Sequence, residues 1–140
     1  MNWKLIFQLS LFGLVMGVAT VFILPSTVEP FFWLVIFIIS AYMIATRAPG
    51  QHFLHGVLVG IGNSIWITAV HVGLFQAYAA RHASEMAAMR SMAMATHPRL
   101  LMLVTGPIIG IISGIIIGLL SLLAARLVRR RAPPAPIVAA

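Results

Sequence analysis

The chain has 140 residues, 61% of them hydrophobic and 8% charged, where a soluble domain carries about a quarter charged; it cannot cover its own surface in water and needs the bilayer as a second solvent. It has no cysteine and no aspartate, and its side-chain carboxylates are Glu29 and Glu85, so disulfides, thiolate metal sites and thiol catalysis are excluded and paired-carboxylate chemistry has almost no material. The net charge of +7 rests on nine basic residues, four of which (Arg126, Arg129, Arg130 and Arg131) close an apolar run; that placement suits anionic lipid headgroups better than nucleic acid.

A membrane-spanning helix needs about 20 apolar residues to cross a hydrocarbon core roughly 30 Å thick. Four segments meet that need, at about residues 5–24, 31–46, 53–77 and 100–125, and none contains an acidic or basic side chain apart from histidine. The first has a basic start at Lys4, but its apolar run is longer than that of a signal peptide, so cleavage is not expected. Pro-Ser-Thr-Val-Glu-Pro at 25–30 ends that span and opens the second, because proline breaks a helix interior yet suits a first turn. Arg-Ala-Pro-Gly-Gln at 47–51 separates the second from the third.

The third span is the polar one. His52 and His55 stand at its start, in the expected membrane interface, and Asn63, Ser64, Thr68 and His71 follow within it. Polar groups in hydrocarbon need partners, so this side faces other helices. It serves either as a solute path or as interhelical hydrogen-bonding glue. If the helix continues past the membrane, His71, Phe75, Tyr78, His82, Met86 and Met89 share one face, with Met92, Met94 and His97 beyond. Thioethers and imidazoles are soft ligands, so His71, His82, Met86 and Met89 form a candidate Cu(I) site, although methionine is also common apolar filler. Haem ligation would need a second helix to offer histidine or a methionine such as Met16 or Met102. The connection at 78–99 should form an outer loop holding a short amphipathic helix on the membrane surface.

The fourth span carries Gly106, Gly110, Gly114 and Gly118, four residues apart and therefore near one face. Such a face lets another helix backbone approach closely. It packs within the chain, against Gly13 and Gly17 of the first span or Gly56 and Gly60 of the third, or it forms a dimerisation seam or sliding pair. Pro107 should bend this helix. The tail at 132–140 is proline-rich and expected to be disordered.

Basic residues near spans stay in the cytoplasm. With the N-terminus inside, Lys4, Arg47, Arg126, Arg129, Arg130 and Arg131 lie inside, and Arg81, Arg90 and Arg99 lie outside with both glutamates. Six against three predicts that both termini are cytoplasmic. The expected fold is thus all-α, one polytopic domain over residues 1–131 with a four-helix transmembrane bundle of two hairpins, in a bacterial cytoplasmic membrane.

Acid, base and nucleophile inventories are all thin, so an enzyme is not expected. Proton-coupled export would call for an ionisable group within a span, yet the first span offers Gln8, Ser10 and Thr20 and the third offers His71 near its far end. The leading expectation is a small non-catalytic membrane protein that acts by helix packing, as a homo-oligomer or with a membrane-protein partner. The alternatives are a small-solute transporter or channel with its path along the third helix, and an outer-facing Cu(I) binder. No nucleic-acid partner and no other cofactor are expected.

Overall fold

The computed structural model describes residues 1–91 and 96–131, with side chains as far as Val128. The described residues are all helical or in connections, without strands: α1 (Trp3–Phe22), α2 (Glu29–Arg47), α3 (His52–Gly73), α4 (Phe75–Arg81), α5 (Ala83–Arg90) and α6 (Pro98–Arg131). Among them α1, α2, α3 and α6 are long and apolar enough to cross a membrane. Successive long helices reverse direction. One end of the assembly therefore holds the termini of the described chain and the α2–α3 turn, and the other holds residues 23–28, 74–91 and 96–97. We call these the terminus end and the loop end.

Local chemistry explains most boundaries. Asn2 caps α1 by accepting a hydrogen bond from Leu5 N at 3.1 Å, satisfying one of the first-turn amides that no helical carbonyl can reach. Helix α2 opens with Glu29 and Pro30 and closes with Arg47, a charge order that opposes the helix dipole at each end. Gln51, in the left-handed region at φ 52°, turns the chain directly into α3.

The third span departs from the expectation of one helix running to residue 77 and beyond. It ends at Gly73, Leu74 leaves the helical region (φ −103°, ψ 32°), and a second break follows at His82 (φ −115°, ψ 56°). Glycine is a poor helix interior residue, and Gly73 has nothing near its missing Cβ to anchor it. The predicted His/Tyr/Met face is consequently divided among α3, α4 and α5. The loop contains two short helices where one was expected. At the other extreme α6 runs past residue 125 to Arg131, since alanine, leucine and arginine are all good helix formers. Met92, Met94 and the tail at 132–140 lie outside the described residues.

Helix α3 is central, with α1 on one side and α6 on the other, while α2 packs along α6. Glycines make both approaches to α3 close. A Cβ on Gly114 would sit 2.6 Å from Val57 O, one on Gly118 2.7 Å from Phe53 O, and one on Gly56 2.7 Å from the Ile117 carbonyl carbon. Gly60 faces Gly114 directly, and Gly106 and Gly110 receive the side chains of Thr68 and Ser64. On the opposite face, a Cβ on Gly13 would overlap the backbone of Asn63, and Gly17 meets Ile67 and Val70. The glycine series of α6 is therefore used inside the chain, against α3. Close backbone approach multiplies van der Waals contacts, which is how helices gain stability where lipid is as apolar as leucine.

Two apolar clusters hold the ends. Leu5, Ile6, Leu9, Ile44, Val59 and Ile117 join α1, α2, α3 and α6 toward the terminus end. Val21, Tyr78 and Met102 join α1, α4 and α6 at the loop end, with Met86 and Met89 packed on them. Helix α2 belongs to the first cluster alone. Its buried residues are Ile36, Ser40, Ala41 and Ile44, all beyond its first seven residues. It is anchored at the terminus end and stands away from α3 at the loop end.

Candidate ligand cleft

The divergence of α2 leaves a cavity of about 800 Å³ between the loop-end halves of α2, α3 and α6, within the usual range for small-molecule sites. From α2 come Glu29, Trp33, Leu34 and Phe37; α3 supplies Gly60, Asn63, Ser64, Thr68 and His71. The α6 wall includes Met102, Thr105, Ile109 and Ser113, and Ser26, Tyr78, Glu85 and Met89 surround the loop end. From Gly60 to His71 the cleft follows α3 for roughly 16 Å at 1.5 Å per residue. Toward the terminus end the Ile44, Val59 and Ile117 cluster closes it. Leu34 is 55% exposed and Ile109 60%, so the cleft also opens sideways, to whatever surrounds the helices.

The predicted polar residues of α3 meet here, and each has a defined role. Asn63 is buried and its Oδ1 accepts from Gly13 N at 2.7 Å, tying α3 to α1. Its Nδ2 is buried without a hydrogen-bond partner. Ser64 Oγ donates to Ile61 O at 2.9 Å and Thr105 Oγ1 to Leu101 O at 2.9 Å. These hydroxyl protons are satisfied within their own helices, leaving oxygen lone pairs to a ligand. His71 Nε2 lies 2.7 Å from Thr20 Oγ1, which also has the carbonyls of Met16 and Gly17 within reach. When the single hydroxyl proton goes to a carbonyl, the imidazole Nε2–H donates to Thr20 and Nδ1 is left as an acceptor.

The candidate copper ligands do not converge. Tyr78 has the His71 ring 4.3 Å from its centroid and the His82 ring 4.1 Å away. Two rings that close to a third cannot occupy the same face, so Tyr78 lies between the imidazoles. His82 Nδ1 is directed at Tyr78 O at 3.0 Å, and Met86 and Met89 pack on the loop-end apolar cluster. Among the described residues no group of three or more histidine or acidic side chains could hold a metal. His52 and His55, at the start of α3, are both buried among the helices. His55 Nε2 accepts from Asn2 N at 3.0 Å and its Nδ1 meets Gln51 O at 2.9 Å, which moors the start of α1 to α3.

Sequence reasoning missed the pairing of the two glutamates. They are 56 positions apart, on α2 and α5, yet both line this cavity. Glu29 Oε1 accepts from Trp33 Nε1 at 3.0 Å, and Glu85 Oε2 from Ser84 Oγ at 2.8 Å. Donation from the Ser26 hydroxyl holds the Glu85 carboxyl below its ordinary pKa, with burial opposing. Tyr78 reports both carboxylates: burial first, then the fields of Glu85 and Glu29, push its phenol up to about 12. The available signal was the position of each glutamate beside a span at the same end, but nothing local in the sequence brings α5 over α2.

No protein-family model, curated protein or solved structure matches this chain.

Proposed function

We propose that this chain is a four-crossing integral membrane protein that carries a small amphiphilic solute through the cleft between α2, α3 and α6. The observation behind this reading is the asymmetry of the cleft, which lies in the loop-end half and opens sideways but is closed by packed side chains at the terminus end. A carrier must be closed on one side while open on the other, whereas a channel needs a continuous path. Sideways exposure of Leu34 and Ile109 suits entry from the lipid, and the hydroxyls of Ser64 and Thr105 suit a solute with some polarity. By the distribution of basic residues, the termini are cytoplasmic and the cleft opens outward.

The packing-scaffold expectation has less to work with. Its recognition surface was the glycine series of α6, and that series is occupied by α3.

The natural absence of cysteine provides a direct test. Single-cysteine variants Thr27→Cys, Thr105→Cys, Ser113→Cys, Ile117→Cys and Arg126→Cys are exposed, in sealed cells, to a membrane-impermeant maleimide. Thr27→Cys, Thr105→Cys and Ser113→Cys should react from outside, and the other two should be protected. Adding Ile109→Trp should block Ser113→Cys. If Thr105→Cys and Ser113→Cys stay unreactive even in permeabilised cells, there is no open cleft and the carrier reading fails.

A further inference from the structure

Resting on that reading, the arrangement at the cleft mouth specifies the charge of the solute. We infer that the cleft selects a lipophilic cation, an amphiphile whose ammonium-type head lies between Glu29 and Glu85 and whose apolar body lies along Leu34, Phe37 and Ile109. The chain carries nine basic residues and two acidic ones, and random placement would leave its carboxylates paired with arginine. Among the described residues neither is. Arg81 donates to Phe22 O and Arg99 lies over the Phe75 ring, 5.2 Å from its centroid. The donors that do hold the carboxylates, Trp33 Nε1 and the hydroxyls of Ser26 and Ser84, are neutral. They fix each oxygen in place without cancelling its charge. The low pKa of Glu85 keeps that carboxyl ionised at neutral pH.

Two uncompensated negative charges at one end of an apolar cleft attract cations and repel anions. The Trp33 ring beside them provides a π-face on which an alkylated ammonium group settles. Asn63 supplies an independent sign that the cavity takes a ligand. It lines the inner stretch of the cleft, 3% exposed, with Oδ1 taken by Gly13 and Nδ2 lacking an acceptor among the described residues. Buried amide donors are rarely left unpaired, and an acceptor on the body of a bound solute would complete this one.

The test uses the full chain purified in maltoside micelles, with radiolabelled tetraphenylphosphonium as probe and, in separate samples because the two ions pair, radiolabelled tetraphenylborate, an anion of the same shape. Saturable tetraphenylphosphonium binding near one per chain is expected, and no saturable tetraphenylborate binding. Glu29→Gln/Glu85→Gln should weaken the cation's binding at least tenfold, while far-UV circular dichroism and maleimide labelling of Ser113→Cys stay unchanged. Equal affinity in the double variant, or saturable tetraphenylborate binding to the parent chain, would overturn the charge assignment and leave the cleft standing if Ser113→Cys still labels. Loss of both binding and labelling would remove the cleft as well. A free cation and an aminolipid share this head chemistry. Competition by phosphatidylethanolamine but not phosphatidylglycerol, lost in the double variant, would support the inference and assign the head to a lipid; no competition with binding intact would support a free solute.

Discussion

Replacing Gly60 by alanine tests the contact on which the fold depends most. A Cβ at this position would stand 2.8 Å from Gly110 O and closer still to the backbone of Gly114, where ordinary contact begins at 3.4 Å. Backbone cannot rotate away as a side chain can, so α6 must retreat by at least the difference, 0.6 Å. A gap of roughly 0.5–1 Å forfeits a quarter to a half of each dispersion contact it touches. Overpacking costs about 1–3 kcal/mol in general, and a backbone-to-backbone clash belongs at about 3. The better helix propensity of alanine returns about 1 kcal/mol. The expected net loss is about 2 kcal/mol. Gly73→Ala is the matched control: its Cβ meets nothing within 4 Å, so it should gain up to about 1 kcal/mol. Reversible unfolding of each variant in mixed micelles, titrated with sodium dodecyl sulfate and followed by tryptophan fluorescence, gives both values. If Gly60→Ala were as stable as the parent chain or more so, the α3–α6 packing described here would be wrong.

Three further outcomes follow from other contacts. Asn63→Ala should cost about 0.6 kcal/mol and no more than about 1.7, the range for interhelical hydrogen bonds in membrane proteins; a loss well above that in the same titration would show that Asn63 does more than join α3 to α1. His55→Ala should cost about 2–4 kcal/mol by opening a cavity and releasing Asn2 N, with faster amide exchange at residues 2–6; unchanged exchange there would disprove the mooring. In a Tyr42→Phe background, absorbance at 295 nm should place the Tyr78 phenol near 12, against 10.0 for an isolated tyrosine. Because folding raises this pKa, its stabilising contribution is complete below pH 10 and declines as pH rises through 12, and Glu29→Gln/Glu85→Gln should bring the midpoint down. A midpoint at 10 in the folded chain would refute the burial of Tyr78 and its nearness to both carboxylates.

The elements that could be read from the chain are those set by local physics. Pro30 announces a helix start by the hydrogen bond it omits. The spacing of Gly106, Gly110, Gly114 and Gly118 announces a close-packed face through the 3.6-residue repeat alone. The same repeat misled beyond residue 73. It treats His71, Tyr78 and His82 as one stripe, whereas the breaks at Leu74 and His82 turn that stripe into a stack with Tyr78 in the middle.

By itself the sequence determined that this chain has four long apolar helices, that α3 is the most polar of them and that α6 carries four glycines in register, because hydropathy and periodicity are properties of consecutive residues. It could not say which helix the glycines meet, since Gly13 and Gly17 in α1 and Gly56 and Gly60 in α3 are equally suitable partners. Only the tertiary structure chose α3 for α6, and only it held α2 at Ile44 while leaving Trp33 and Phe37 beside an open cleft. The sharing of one cavity by Glu29 and Glu85 belongs to the same class. Two charges 56 residues apart share a site because three helix packings and two chain breaks bring them together, and each of those is a long-range contact that no local pattern encodes.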